Sequence, residues 1–169
     1  TLFDVFSSFD LKMTHGPVSA RVNNKVEGMH YRVYNSKDVE FLDMNSASGS
    51  RAYTRTLFFV LCKAVQDIYP NTDVVIDIPV SNGFYVDIRL GRPVVDEDVN
   101  ILRRRMQEII DSKMPIRRFT VPTEEAIALF QEKGDVEKVK LLRTSGSIYT
   151  TYYKIGEYVD YYYGTLLTN

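Results

Sequence analysis

The sequence predicts an α+β fold, an antiparallel sheet with one long helix packed on it. Three observations lead there. Residues 50–69 place Leu57, Leu61, Ala64, Val65 and Ile68 at three- and four-residue steps, the apolar stripe of a helix. Residues 74–78 and 84–90 are short strand-like runs separated by Ser81-Asn82-Gly83, which reads as a hairpin. The other helical stretches do not alternate regularly with strands, as a parallel βαβ arrangement would require.

At the N-terminal end, Leu2, Val5 and Phe6 stand at helical spacing and predict a short first helix. After Gly16-Pro17, residues 18–22 alternate as a strand, and Asn23-Asn24 makes a tight turn into Lys25-Val26, because asparagine tolerates positive φ. Residues 39–44 read as another strand. So few elements bury little surface alone, so residues 1–45 must lean on missing residues or on the next domain. The small polar run 45–50 reads as a loop and a domain boundary. The long helix is stopped by Pro70-Asn71, and 74–78 reads as a buried strand ending at Pro79. Asp96, Glu97 and Asp98 open a helix whose apolar face is Val99, Leu102, Met106, Ile109 and Ile110. Residues 116–121 form a strand. Pro122 starts a helix that Gly134 ends, and a shorter helix over 135–142 comes next. Residues 148–155 and 158–163, rich in tyrosine and β-branched side chains, close the chain as strands.

Composition narrows the class. With 169 residues, 44% hydrophobic and 25% charged, the chain can bury one good core, or one domain plus a small companion. A formal net charge of -1 supplies no global field toward nucleic acid or anionic lipid, so such binding would need a local patch. The single cysteine, Cys62, excludes an internal disulfide and a cysteine-rich zinc site and suits a reducing compartment. No apolar run approaches the roughly 18 residues of a membrane span, and no basic-then-apolar leader opens the chain. These features predict a cytoplasmic protein with no membrane partner. The start at Thr1 and the end at Asn169 read as the limits of a piece of a longer polypeptide.

An ordered series of motifs runs along nearly the whole length. Residues 55–70 (RTLFFVLCKAVQDIYP) are succeeded by Asn82-Gly83-Phe84-Tyr85 and later by 158–164. This frame resembles the second additional domain of threonyl-tRNA synthetase, the part that hydrolyses mischarged tRNA. Residues 81–87 fit that family's NGFYYD hairpin. Asp96-Glu97-Asp98-Val99 with Met106, and Glu125-Ala126 with Phe130, fit its next helices. Lys138-Val139 and 156–160 match the approach to its last motif. Residues 18–44 look like the end of a TGS domain, the small β-grasp module that precedes the editing domain. The resemblance therefore implies a partial TGS-like module over 1–45 and an editing-like domain over 46–169.

In the family the helix carries HxxxH and the last segment CxxxH. Here those slots hold Arg55, Phe59, Tyr162 and Leu166. Paired histidines and a cysteine can hold a metal or position a water. An arginine offers no free lone pair, and Phe59 and Leu166 offer none either. Tyr162 keeps a hydroxyl, a poor base with a reference pKa of about 10. The resemblance thus implies a degenerate editing site, with no catalytic residue, metal or cofactor expected. Lys138 and Asp160 match polar residues of the family's cleft. With Arg55 they could contact an anionic or hydroxylated ligand; alternatively, Asp160 pairs with a nearby cation for structure and Lys138 is a solvated helix residue.

Similar paired modules are found ahead of a uridine-kinase-like P-loop domain in some nucleoside kinases, and the loss of the four groups favours that context. No GxxxxGKS or GxxxxGKT occurs here, so a kinase domain and its ATP would lie C-terminal to Asn169. The leading expectation is a non-catalytic accessory region that recognises RNA or a small nucleoside or amino-acid ligand, or regulates the kinase. The alternatives are aminoacyl-tRNA hydrolysis by a non-standard site, and a purely structural domain. The remaining features read as structural. His15 and His30 sit in no motif, and Cys62 reads as a buried inert thiol. Arg103-Arg104-Arg105 with Lys113, Arg117 and Arg118 is offset by nearby acids and reads as a solvated, salt-bridged face. Seven tyrosines between Tyr149 and Tyr163 suit a half-buried sheet face, although tyrosine can also stack on bases.

Overall fold

The computed structural model describes residues 1–81 and 83–167, and within them the chain is α+β. The first elements are α1 (Leu2–Ser8), β1 (Ser19–Val22), β2 (Lys25–Glu27) and β3 (Val39–Leu42). Then come α2 (Ala47–Ile68), β4 (Val74–Val80), β5 (Gly83–Ile88) and α3 (Asp96–Asp111). The last are β6 (Arg117–Pro122), α4 (Thr123–Glu132), α5 (Val136–Thr144), β7 (Tyr149–Ile155) and β8 (Tyr158–Tyr161). The pairing is antiparallel throughout: residues 1–45 carry their own small sheet, β2-β1-β3, while the one sheet expected after them is two, β4-β5 and β6-β7-β8. No helix among the described residues is long and apolar enough to cross a membrane.

Residues 1–45 gather a small core of Leu2, Ala20, Val22 and Met29 beneath the first sheet. Asn23 and Asn24, both at positive φ, make the β1–β2 turn as their side chains allow. The segment leans on the rest of the chain: Arg118 Nη1 lies 3.1 Å from the buried Glu27 carboxylate, and Thr165 donates to the Val26 carbonyl at 3.4 Å.

The long helix begins earlier than its apolar pattern suggests. Ser46 is its N-cap, accepting from the Gly49 amide at 3.0 Å and donating to the Asp43 carbonyl at 2.8 Å. The small residues read as a loop are thus the first helical turn. Gly49 is small because a Cβ there would stand 1.9 Å from the Asp43 carbonyl oxygen. The buried face of α2 also differs from the expected stripe. Ala52, Phe59, Val60, Cys62, Ala64 and Val65 are buried, while Ile68 is exposed and Leu57 and Leu61 are intermediate.

The hairpin forms, but β4 runs on through Pro79 with an irregularity between Ile76 and Pro79. It is also not a buried strand. Ile78 and Val80 are exposed, and Phe84 meets the body edge-on against Phe58, with ring centroids 4.9 Å apart. Asn82 of the expected turn lies outside the described residues.

On α3, Leu102 and Ile109 are buried whereas Val99 and Ile110 are exposed. Its N-terminus is tied down by one carboxylate. Asp98 accepts both Arg92 guanidinium nitrogens at 2.7 Å, the Tyr69 hydroxyl at 2.6 Å and the Val95 amide at 3.0 Å. The solvated-face reading of the basic run holds for Arg105, which pairs with Asp67 and Glu108. The last strand stops at Tyr161, two residues short of expectation, and Tyr163 is 88% exposed.

This packing can be tested at two positions. Gly49→Ala drives a methyl into backbone and should cost about 1–3 kcal/mol of stability, read as a lower thermal midpoint. Arg92, then Tyr69 and the Val95 amide, hold the Asp98 carboxyl well below the usual carboxylate range. A depressed folded pKa contributes stability that is full above the unfolded value of about 3.9 and is lost on acidification through the folded one. Asp98→Asn should therefore lower the midpoint at neutral pH, and the gap to the parent protein should narrow below about pH 4.

Candidate functional site

α2 presents Arg55, Phe59 and Cys62 on one face, at steps of four and three. β8 and the segment behind it run against that face, because β7 and β8 pair in a register that sets Tyr153 opposite Asp160. Phe59 has no exposed surface. Around it stand Tyr158, Tyr162 and Tyr153, at centroid distances of 5.2, 5.7 and 6.4 Å, all tilted or edge-on. Leu166, 1% exposed, completes the same apolar cluster. Arg55 lies alongside, its guanidinium against the backbone of Gly164. A Cβ at Gly164 would meet Nη1 at 2.6 Å, and the residue's φ of +108 also calls for glycine. The structure thus brings together all four positions singled out from sequence.

The polar groups form a chain beside this cluster. Asp160, buried on β8, accepts the Tyr158 hydroxyl at 2.7 Å and the Tyr161 amide at 2.6 Å. Lys138 Nζ from α5 lies 2.8 Å from Asp160 Oδ1 and 2.6 Å from Asp135 Oδ2, and 5.7 Å from the Phe130 ring centroid. Lys138 is therefore not a solvated helix residue; it is the cation that Asp160 pairs with. Burial opposes its charge, but Asp160 and then Asp135 outweigh burial and raise its pKa.

Cys62 also belongs here, which sequence reasoning missed by seeking histidine partners rather than phenols. Its spacing from Arg55 and Phe59 on one helix face was the available signal. Burial, and then the Asp160 charge, push the thiol up to about 11. Burial and Asp160 push the Tyr158 hydroxyl far above the phenol range. Tyr162 rises through burial, Cys62 and Asp160. Tyr158 was the other omission, although it stands two residues before Asp160 on the same strand face. Such a site holds its protons firmly. Its buried carboxylate, Asp160, is occupied by an ammonium, a hydroxyl and an amide, and its thiol and phenols stay protonated at neutral pH. Among the described residues no group of three or more His, Cys, Asp or Glu side chains is gathered to ligate a metal.

Removing Asp160 leaves Lys138 with Asp135 alone and the Tyr158 hydroxyl without its acceptor. Asp160→Ala should destabilise by about 2–4 kcal/mol in denaturant unfolding. Lys138's raised pKa contributes stability that is full below its unfolded value of about 10.4 and is lost as pH rises through the folded one. The cost of Lys138→Met should therefore be constant across neutral pH and shrink only in strong alkali.

No protein-family model matches the chain. Over 161 residues, 95% of its length, it is 30% identical to a threonine–tRNA ligase of Acetivibrio thermocellus. It is 29% identical to that of Clostridioides difficile and 26% to that of Marinobacter nauticus, over the same share of its length. Each match covers 25% of the relative, so the chain spans about a quarter of the length of these proteins. The chain is thus related, along nearly its whole length, to one segment of threonine–tRNA ligases.

Proposed function

We propose that the chain is a non-catalytic accessory region, a degenerate relative of the threonyl-tRNA synthetase editing domain, placed ahead of a uridine-kinase-type nucleoside kinase domain. On this reading residues 1–45 are a partial TGS-like module and residues 46–169 the editing-like domain. ATP would bind in the kinase domain, and no cofactor is expected in this chain. The observation that carries the reading is what fills the four slots. Phe59 and Leu166 are core residues with almost no exposed surface, Arg55 rests on a glycine backbone, and Tyr162 keeps its proton. None of them can take a proton from water at neutral pH. What remains is recognition. Arg55, Lys138 and Asp160 are the polar groups that would meet RNA, a nucleoside or an amino acid, or the kinase domain itself.

The resemblance to the editing domain leaves a second reading, hydrolysis of aminoacyl-tRNA by a non-standard route. Lys138 and Asp160 would hold the substrate and the tRNA itself would activate the water. The closure of the pocket by Phe59 and Leu166 weighs against it.

A deacylation assay with Ser-tRNA, without added metal, separates the two. The non-catalytic reading expects no turnover above the spontaneous rate. Turnover that disappears in Asp160→Ala, and in a folded Asp160→Asn, would overturn it in favour of hydrolysis.

A further inference from the structure

The seam between residues 1–45 and the rest of the chain gathers more positive charge than negative. Glu27, buried at the end of β2, takes Lys25 Nζ at 2.9 Å on one carboxylate oxygen and Arg118 Nη1 at 3.1 Å on the other. Arg118 stands on β6 directly opposite Tyr153 on β7. The Tyr153 hydroxyl donates to the Gly164 carbonyl at 2.9 Å, and the Arg55 guanidinium lies on that same glycine. Burial pushes the Tyr153 hydroxyl up, while the Arg118 and then the Arg55 charge pull it down, so both cations lie close to one hydroxyl. Three cations thus surround a single carboxylate. Asp160, opposite Tyr153 on β8, brings no relief, since Lys138 already holds it.

Arg55 is the group left over. It is half-buried, and its guanidinium has no hydrogen-bond or ion-pair partner among the described residues. Arg118 gives one nitrogen to Glu27, and its side chain is 41% exposed. A guanidinium cannot shed its proton, so a half-buried one without an acceptor calls for an anion. The contact with Gly164 already holds the Arg55 fork in place, which leaves little side-chain freedom to lose on binding.

We propose that this seam binds a phosphate monoester dianion, held by the Arg55 and Arg118 guanidinium groups with Lys25 adding charge. Three cations against Glu27 alone leave two positive charges, which a dianion neutralises and a carboxylate or phosphodiester does not. The planar guanidinium forks also match phosphate oxygens two at a time. This site rests on the recognition role proposed above for Arg55 and gives that role a ligand of stated charge, with two further residues from other elements. Lys138 and Asp160 take no part in it.

Phenyl phosphate is the probe, titrated into the protein at low salt by calorimetry and by thermal melting. Inorganic phosphate, diethyl phosphate and benzoate serve as comparators. Phenyl phosphate should bind saturably at one site and raise the melting temperature, inorganic phosphate should bind no more tightly, and the two monoanions about tenfold more weakly. Arg55→Gln should weaken phenyl phosphate about tenfold with the fold kept. Glu27→Gln removes the competing carboxylate, so it should tighten phenyl phosphate about three- to tenfold even as the free protein melts lower, a gain that a merely structural cluster would not show. Absence of saturable binding, unchanged affinity in Arg55→Gln, or no gain in Glu27→Gln would each overturn the proposal. Tighter binding of inorganic phosphate would assign the site to the free ion instead, and equal binding of diethyl phosphate to a nucleic-acid backbone. Any of these results alongside absent Ser-tRNA turnover would remove the anion site and leave the non-catalytic reading standing.

Discussion

The complete burial of Phe59 is the constraint on which the rest of this structure depends. A phenylalanine removed from water contributes about 1.5–3 kcal/mol, and edge-on aromatic neighbours add about 0.5–1.5 kcal/mol each. The neighbours that supply this are tyrosines, so packing Phe59 also takes phenol hydroxyls out of water. A buried hydroxyl without a partner costs about 1–3 kcal/mol, enough to cancel the gain. Asp160 accepts the Tyr158 hydroxyl, and a buried carboxylate in turn demands a cation, which α5 delivers as Lys138. One apolar side chain on α2 thus dictates an acid on β8 and a base on a helix far along the sequence.

The segment after β8 is bound by the same logic. Residues 162–167 cross from the Phe59 cluster, where Leu166 is buried, to a cavity on another face of α2, which Leu167 lines. The path is held by Tyr153 donating to the Gly164 carbonyl at 2.9 Å and by Thr56 accepting the Leu167 amide. Gly164 permits it, since any side chain there would strike the Arg55 guanidinium. Thr165 meanwhile reaches the Val26 carbonyl, and its methyl would lie 3.3 Å from a Cβ at Gly28. Residues 1–45, the long helix and residues 162–167 are therefore joined at one seam. A change at Arg55 would be felt on both sides of α2.

How much of this could be read from residues alone depends on whether local chemistry or packing decided the outcome. The hairpin, the Asn-Asn turn, the helix opened by acidic residues and the stops at Pro70 and Gly134 are decided by backbone chemistry, and they were legible. The start of α2 was not, because small residues signal a loop and a tightly packed helical turn alike. The Ser46 cap and the approach of the Asp43 carbonyl to Gly49 distinguish them. The burial of β4 was misjudged because an apolar run does not reveal whether another layer covers it, and Ile78 and Val80 are uncovered. The four positions were found through the ordered motifs, whereas Cys62 and Tyr158 were missed because neither fills a slot of those motifs, although each has a site residue on its own element.

Packing groups at this position have a physical advantage over reactive ones. A cluster of histidines and a thiol in a half-closed cleft must be kept partly solvated or bound to ligand, since desolvating such groups without partners is costly. On the proposed reading, phenylalanine and leucine at two of those positions avoid that cost and add buried apolar area, which favours the scaffold. Lys138 and Asp160 do not share that freedom. Deleting Lys138 would strand the buried Asp160 carboxylate, and deleting Asp160 would leave Lys138 with Asp135 alone, so the pair is held by structure whether or not anything binds it. The presence of those two residues is therefore weak support for a ligand, whereas Arg55, whose loss would strand no buried charge, is the side chain that a binding role would have to explain.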